Sequence, residues 1–377
     1  MISISDKADC CGCQACFEAC PAHCISMTAD NEGFRYPGVD ISSCIDCGLC
    51  EKVCPLLHSQ VADKPLACFA ASSGDISTRL QSSSGGIFSL LAQSVIDRKG
   101  VVFGARFDES FSVIHAYTES MDCLSPFRGS KYVQSDLYGA YSQVQAFLRE
   151  KRTVLFSGTP CQIAGLRGFL RGAEDENLLL VSVVCHGVPS PRVWKDYLAS
   201  ITQGTVPTDV NMRNKDQGWN NFRINVRHDS LLIHDKPHGE DPYMNAFLSN
   251  LTLRPACYAC RFKGAPGSDL TLGDYWGVEN IHPDLSDDQG TSLILVHSEK
   301  GRQFLLNLDL ELTESRYEDA QKGNPCLEHS APMPENRARF WKSYSRHGVR
   351  TLEDFTRARW TPGRLLAGVR NRIRRMI

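Results

Sequence analysis

Two short cysteine runs near the start of the chain offer the clearest chemistry. In each run four cysteines are separated by two, two and three residues, and a proline follows the fourth. The runs are Cys10, Cys13, Cys16, Cys20 with Pro21, and Cys44, Cys47, Cys50, Cys54 with Pro55. This spacing binds [4Fe–4S] clusters, and the fourth cysteine of each run ligates the cluster of the other run. The sequence therefore predicts two clusters, one held by Cys10, Cys13, Cys16 and Cys54 and the other by Cys44, Cys47, Cys50 and Cys20.

Two other uses of these cysteines fit the pattern less well. Structural zinc sites are built from pairs of cysteines, whereas each run here has three closely spaced cysteines and a fourth before proline. A disulfide framework requires an oxidising compartment, and residues 1–9 show no apolar segment of a secretory signal. We interpret residues 1–60 as a two-cluster ferredoxin-like domain. Cys11 and Cys24 fall outside the register and are interpreted as spectators.

Length, cysteine content and charge set the broad class. The chain has 377 residues, so more than 300 follow the ferredoxin-like segment. Seventeen cysteines favour a reducing cytoplasm, and no run of 18 apolar residues predicts a transmembrane helix. The net charge of −2 is unevenly spread. Residues 1–60 hold 8 acidic and 3 basic residues, which is usual for a surface that meets redox partners.

The end of the chain is basic. Residues 334–377 carry 12 Lys and Arg against 3 Asp and Glu, a local charge of +9. In residues 364–377 the apolar side chains fall near one helical face, which fits a membrane surface or an acidic partner. A solvated terminal helix is the alternative. Nucleic acid is not expected, because no base-reading motif accompanies the arginines.

The remaining pattern predicts an α+β protein, in which the ferredoxin-like domain precedes a larger α/β domain with a mixed sheet. A hairpin is expected from residues 101–107 and 113–119. A strand at 152–156, a helix at 161–170 and a buried strand at 178–184 predict a parallel βαβ unit. The larger domain is assigned to residues 65–330, with parts 65–150 and 151–330, and a basic helical tail to residues 331–377.

A third set of thiols lies within the larger domain. Cys161 and Cys185 each follow a strand of the βαβ unit, and the carboxyl ends of parallel strands share one edge of a sheet. Cys257 and Cys260 add a C-x2-C pair. Four thiols allow another [4Fe–4S] site. Buried structural cysteines, or a zinc loop at the pair, remain alternatives.

Several segments resemble the beta subunit of coenzyme F420 hydrogenase/dehydrogenase. They occur in order over residues 65–300: SSSGGIFSLLA (82–92), RGSKYVQSDL (128–137), LFSGTPCQIAGLR (155–167), CHGVPSP (185–191), CYACRFK (257–263) and LTLGDYWGVE (270–279). The resemblance implies that the larger domain binds FAD and a [4Fe–4S] cluster. It also implies the cluster ligands, which are Cys161, Cys185, Cys257 and Cys260.

The expected flavin site begins at a helix start. Ser82, Ser83, Ser84, Gly85 and Gly86 open a helix, whose free N–H groups can bind the FAD phosphates. Glycines allow close approach of the backbone to a ligand. The alternative is an ordinary serine-rich N-cap. No GxGxxG fingerprint is present, so a Rossmann mode of FAD binding is not expected.

Further candidates come from the other motifs of the resemblance. Lys131 and His186 are the candidate catalytic residues. Lys131 would polarise the flavin, and His186 would transfer a proton. The alternative for His186 is a turn histidine held by carbonyl groups. The other candidate cofactor-binding residues are Ser130, Tyr132, Thr159, Pro160, Asp274 and Trp276. A surface turn is the alternative for Ser130, Lys131 and Tyr132. A packed strand end is the alternative for Asp274 and Trp276.

Together these features predict an iron–sulfur flavoprotein oxidoreductase. Its clusters would exchange electrons with FAD, and FAD would exchange hydride with an organic substrate or a deazaflavin such as F420. The electron donor would be a redox protein or a small molecule. The alternative is an electron-transfer subunit with no organic substrate of its own. A homo-oligomer, and a peripheral membrane contact through the tail, stay open.

Overall fold

The computed structural model describes residues 1–58, 64–171 and 176–356. Residues 364–377, in which the sequence predicts an amphipathic helix, lie outside the described residues. Within the described ranges, no helix combines the length and the apolar character needed to cross a membrane.

Thirteen strands are found in the described residues. They are β1 (Ile25–Ala29), β2 (Arg35–Val39), β3 (Ala67–Ser73), β4 (Val101–Phe107), β5 (Val113–Thr118), β6 (Val154–Gly158), β7 (Leu178–Val183), β8 (Asp209–Asn214), β9 (Arg223–His228), β10 (Leu231–Pro237), β11 (Leu270–Asp274), β12 (Ser292–Val296) and β13 (Leu310–Glu314).

The same residues contain thirteen α-helices. They are α1 (Ala15–Glu18), α2 (Leu49–Lys52), α3 (Ile76–Leu80), α4 (Ile87–Ile96), α5 (Ala140–Arg149), α6 (Pro160–Phe169), α7 (Pro191–Thr202), α8 (Pro242–Leu248), α9 (Val278–Ile281), α10 (Glu299–Leu306), α11 (Tyr317–Gly323), α12 (Arg337–His347) and α13 (Arg350–Thr356).

A mixed sheet of eight strands forms the centre of the larger region, in the order β13-β3-β12-β11-β7-β6-β4-β5. Strands β4, β6, β7 and β11 pair in parallel, and each of the other strands pairs antiparallel with its neighbours. The predicted βαβ unit is confirmed, because β6 pairs directly with β7 in parallel. The predicted hairpin is confirmed as the antiparallel pair of β4 and β5. The α+β class with a large mixed sheet is therefore confirmed.

Alternation along the central strands builds two cores. On β7, Leu179 and Val181 pack with α4, whereas Leu178 and Leu180 pack with α5 and α6. Both faces of the sheet are covered, which explains why β7 reads as a continuous apolar run. The second core also contains Cys13 and residues of the cysteine-rich segment, so that segment packs against the sheet through α6.

The cysteine-rich segment docks closely on α6. A Cβ atom added at Gly165 would lie 2.8 Å from Cβ of Cys13, and one added at Gly168 would lie 2.4 Å from the carbonyl oxygen of Val53. Glycine at these positions allows the backbones to approach. The contact brings the first cysteine run next to the helix that contains Cys161.

A separate antiparallel sheet of β10, β9 and β8 packs with α7, α8 and the C-terminal helices. The described part of the segment 331–377 contributes to this core, in which Phe340, Tyr344 and Leu352 are fully buried beside Trp194. Residues 337–356 are thus helical and also packed into the larger region, because their aromatic side chains complete its core.

Candidate functional site

Cysteines of both runs line a small cavity. Five cysteines line it, namely Cys20, Cys24, Cys44, Cys47 and Cys50. Four of these are the set that the crossover rule assigns to the second cluster. Cys24 was interpreted as a spectator, but its Sγ lies 3.4 Å from Sγ of Cys20, so its side chain belongs to the lining of this cavity.

The third set of thiols does converge. Cys161, Cys185, Cys257 and Cys260 all line one larger cavity, which we call the thiol cavity and which has about 1130 Å³ of empty space open to solvent. The parallel pairing of β6 and β7 places Cys161 and Cys185 at the same sheet edge, as the sequence predicts. The C-x2-C pair reaches this edge from the segment before β11.

These thiols surround a space and do not meet at one point. Among the described residues, no group of three or more His, Cys, Asp or Glu side chains is arranged to hold a metal ion. Burial raises the pKa of Cys185 above its usual range and that of Cys257 to about 12. Thiol ligands bind metal as thiolates. With their pKa values raised, these thiols would ionise only beside the positive charge of a bound metal group.

Cys11 also lines the thiol cavity, and its interpretation as a spectator outside the cluster ligands stays a prediction. The neighbouring thiol of Cys11 is the largest cause that raises the pKa of Cys161, followed by burial. Residue spacing could not reveal this contact, because it depends on how the first run docks on α6. A fifth thiol therefore joins the first run to the third set.

Thr159, Pro160 and His186 belong to the thiol cavity. Oγ1 of Thr159 lies 3.1 Å from Sγ of Cys161, and Pro160 lines the cavity. His186 lines it too, and its Nε2 donates to Oδ1 of Asn250 at 2.6 Å, while burial lowers its pKa. An amide partner replaces the turn carbonyls that the sequence alternative suggested.

The remaining candidates lie together elsewhere along the same sheet. We name them the serine–arginine cluster, which comprises residues 82–86, Ser130, Lys131, Tyr132, Arg213, Asp274 and Trp276. Oγ of Ser83 lies 2.9 Å from Oγ of Ser130, so the two loops meet. The guanidinium of Arg213 donates to the Tyr132 hydroxyl at 2.8 Å and lies 3.0 Å from Oδ2 of Asp274.

Arg213 is the centre of this cluster. It is 5% exposed, and its carbon Cζ lies 5.1 Å from the centre of the Trp276 ring. Its Nε is buried without a hydrogen-bond partner. Neighbouring Lys215 is structural, since its Nζ donates to the carbonyls of Arg79, Ser84 and Gln289.

The helix start in this cluster has two features of a ligand site. Gly86 is the N-cap of α4 with φ of +91°, and no side chain caps the helix.

Lys131 is half-buried in the neighbouring loop. Its Nζ donates to the carbonyls of Pro126 and Arg128 at 2.7 and 2.8 Å. Burial lowers the pKa of Lys131 to about 7. Gly85 has a packing role, because a Cβ there would lie 2.4 Å from the carbonyl oxygen of Ala71.

A buried hydrogen-bond chain lies between the two groups. Nε2 of His115 donates to the carbonyl of Ser157 at 2.9 Å, and Nδ1 accepts from the hydroxyl of Ser135 at 2.9 Å. Burial lowers the pKa of His115 to about 4, so the ring is neutral and this tautomer is fixed. Ser135 accepts from Gln162, whose Oε1 accepts from the backbone N–H of Thr159.

Comparisons with known proteins agree with the cysteine chemistry. Residues 9–56 match the 4Fe-4S dicluster domain family. Residues 151–316 match the family described as the C terminus of the coenzyme F420 hydrogenase/dehydrogenase beta subunit. A search of curated proteins gave no match.

Among solved structures, a chain of the F420-reducing [NiFe] hydrogenase complex from Methanosarcina barkeri, in a xenon-derivatised form, is similar to this chain. The identity is 14% and the TM-score 0.47, over 78% of this chain and 91% of that chain. The resemblance seen in the sequence is thus confirmed by the family matches. The chain thus combines a segment that matches the 4Fe-4S dicluster domain with a segment, under half of its length, that is similar to the C terminus of the coenzyme F420 hydrogenase/dehydrogenase beta subunit.

Proposed function

We propose that the protein is an iron–sulfur flavoprotein oxidoreductase with three [4Fe–4S] clusters and one FAD. In this proposal residues 1–60 form the ferredoxin domain and residues 65–330 the domain that holds the third cluster and FAD, with residues 331–377 as a C-terminal extension. The convergence of four cysteines on the thiol cavity is the observation that carries the proposal.

The proposed ligands of the third cluster are Cys161, Cys185, Cys257 and Cys260. They line one cavity, and thiolates are the usual ligands of such clusters, which transfer single electrons. Oγ1 of Thr159 lies close enough to bond Sγ of Cys161. Hydrogen bonds to ligand sulfurs tune a cluster, so Thr159 would adjust this one.

Cys11, Cys13 and Cys161 would form the contact between the ferredoxin domain and the larger domain. Cys11 is their common neighbour, since its thiol shifts the pKa of each of the other two. Cys13 and Cys161 are proposed ligands of different clusters, so this contact connects the two sites through one side chain. The first ferredoxin cluster would therefore be the neighbour of the third.

The serine–arginine cluster is the proposed FAD site. The uncapped start of α4 supplies N–H groups for phosphate, and the buried Nε of Arg213 has a donor without a partner. Bound FAD would convert single-electron transfer into hydride chemistry. Lys131, with a pKa of about 7, would hold or release a proton at Nζ near neutral pH.

His186 has a proposed role in proton transfer. Its Nε2–H is committed to Asn250, and burial lowers its pKa, so the ring is neutral at pH 7. A neutral imidazole at the wall of the thiol cavity can accept a proton at Nδ1. Asn250 would keep the ring in this orientation.

The test is turnover by the isolated chain after anaerobic purification. Dithionite-reduced viologen is the electron donor, and a deazaflavin or a panel of carbonyl compounds is the hydride acceptor. We expect flavin reduction followed by reduction of an acceptor, and loss of both in Cys161→Ala. The electron-transfer alternative would be favoured if the flavin were reduced but the acceptor were reduced only after a partner subunit was added.

A further inference from the structure

Arg254 lies between the ferredoxin domain and the thiol cavity. It is 1% exposed and is three residues before Cys257. Its guanidinium points into the cysteine-rich segment, where Nε donates to the carbonyl of Cys10 at 2.7 Å and Nη2 to the carbonyl of Arg35 at 2.9 Å. A residue of the larger domain thus reaches the first cysteine run.

The guanidinium also reaches a cluster ligand directly. Nη2 lies 3.4 Å from Sγ of Cys10, within the distance of an N–H···S hydrogen bond. Nη1 donates to Oε1 of Gln134 at 3.0 Å, and Nε2 of Gln134 donates to the carbonyl of Cys11 at 3.1 Å. Gln134 therefore holds both the arginine and the cysteine loop.

The loop is shaped to admit this side chain. Gly12 has φ of +75°, and a Cβ there would lie 2.7 Å from Nη1 of Arg254. Cζ of Arg254 lies 4.3 Å from the centre of the Tyr36 ring. Packing on one side and glycine on the other fix the position of the charge.

Among the residues that the structure describes, the charge has no carboxylate partner. In the described residues, ion pairs join arginines such as Arg79, Arg213 and Arg337 to Asp or Glu, but none of the ion pairs involves Arg254. A buried charge is unfavourable unless an opposite charge compensates for it. Its donors reach the sulfur of Cys10, which would be an anionic thiolate as the ligand of the first cluster that the crossover rule assigns.

We propose that Arg254 is a positioning residue that raises the reduction potential of the ferredoxin cluster ligated by Cys10. A positive charge and an N–H donor at a ligand sulfur stabilise the state with one more electron, and low polarity strengthens the effect. Electrons that enter the ferredoxin domain would then settle on the cluster beside α6. The inference rests on the dicluster domain and is independent of the proposed flavin chemistry.

Arg337 provides the matched control. It also joins the two regions, since Nη1 donates to Oε1 of Glu32 and Nη2 to the carbonyl of Leu253, both at 3.0 Å. It stacks near Tyr258, but it is paired with a carboxylate, and its hydrogen bonds involve no cysteine. Its loss weakens docking without removing charge from a cluster.

The experiment is a redox titration of the anaerobic full chain, followed by electron paramagnetic resonance. In Arg254→Met the equilibrium constant for one-electron reduction of the cluster ligated by Cys10 should fall at least tenfold. This corresponds to a reduction potential at least about 59 mV lower. Arg254→Lys, which keeps the charge, should shift it less, and Arg337→Met should leave both potentials unchanged. Unchanged potentials in Arg254→Met would overturn the proposal, as would an equal shift in Arg337→Met.

A second measurement uses the unaltered sequence in case Arg254→Met fails to keep its clusters. The protein is produced with 15N-labelled arginine, and the reduced clusters are examined by pulsed electron paramagnetic resonance. The proposal predicts a weak 15N coupling, and Arg254→Lys should abolish it. A spectrum without 15N coupling in the parent protein would contradict the contact between Arg254 and the sulfur of Cys10.

Discussion

The two thiol-rich regions of the molecule differ in how the chain brings their cysteines together. In the ferredoxin domain, the cysteines fall within two short runs whose spacing alone identifies the chemistry. In the larger domain, the sheet edge after β6 and β7 and a distant C-x2-C pair supply the thiols. The first site depends on local loops, and the second depends on the packing of the whole domain.

The largest expected effect comes from removing a thiol of the second region. Cys185→Ala should lower the iron content by about four of about twelve atoms per chain, because one [4Fe–4S] cluster is lost and the two local clusters remain. Iron and acid-labile sulfide analysis measures the change. Cys68→Ala is the control, since Cys68 is buried in β3 and lines neither cavity described above. Equal iron in Cys185→Ala and the parent protein would remove the third site from the account.

The next effect tests the contact between the regions. Gly165→Ala should lower the stability of the docked state by about 1–3 kcal/mol, because its Cβ would lie 2.7 Å from the Tyr141 hydroxyl and 2.8 Å from Cβ of Cys13. Thermal unfolding of the holoprotein measures it, and Gly239→Ala is the control because nothing lies within 4 Å of the added atom. Identical unfolding temperatures for the two variants would show that the contact is loose.

A pH-dependent effect concerns the proposed flavin site. Burial lowers the pKa of Lys131 to about 7, so between about pH 7 and its unfolded value of about 10.5 the unfolded chain binds more protons. Stability should therefore rise with pH across this window, and Lys131→Met should remove that contribution. Denaturant unfolding at pH 7 and pH 9 measures it. The same pH slope in both proteins would mean that Lys131 titrates normally.

The smallest expected effect concerns the sulfur of Cys161. Thr159→Val removes the hydroxyl that lies 3.1 Å from this sulfur and should lower the potential of the third cluster by less than about 59 mV, a tenfold change in its reduction equilibrium. Thr159→Ser, which keeps the hydroxyl, is the control. A redox titration in which serine and valine behave alike would exclude this hydrogen bond.

The sequence predicted those parts of the fold that have strong local signals. The apolar run of β7 and the hairpin of β4 and β5 were found because burial and alternation are written directly in the residues. Strand β10 and strand β13 were missed. In β10 three apolar residues lead directly into polar ones without alternation, and β13 does alternate but has only five residues, two of them apolar. Helix α7 was missed although Ser190 caps it and Pro191 begins it, which is a readable start signal.

In the site, the residues that could not be predicted from the sequence are those that act across the interface between the two regions. Cys161 and Cys185 were placed at one sheet edge because the rule for parallel strands is general. Cys11 and Arg254 depend on how the ferredoxin domain docks on α6, and nothing in their neighbouring residues indicates that contact. Side chains that act across a tertiary interface are therefore the part of the site that required the structure.

The proposed function requires a third cluster and a flavin in addition to the two ferredoxin clusters. Iron, acid-labile sulfide and flavin per chain can be measured after anaerobic purification. We expect about twelve irons, about twelve sulfides and one FAD. About eight irons and no flavin would contradict it and would leave a dicluster ferredoxin joined to a domain without redox cofactors.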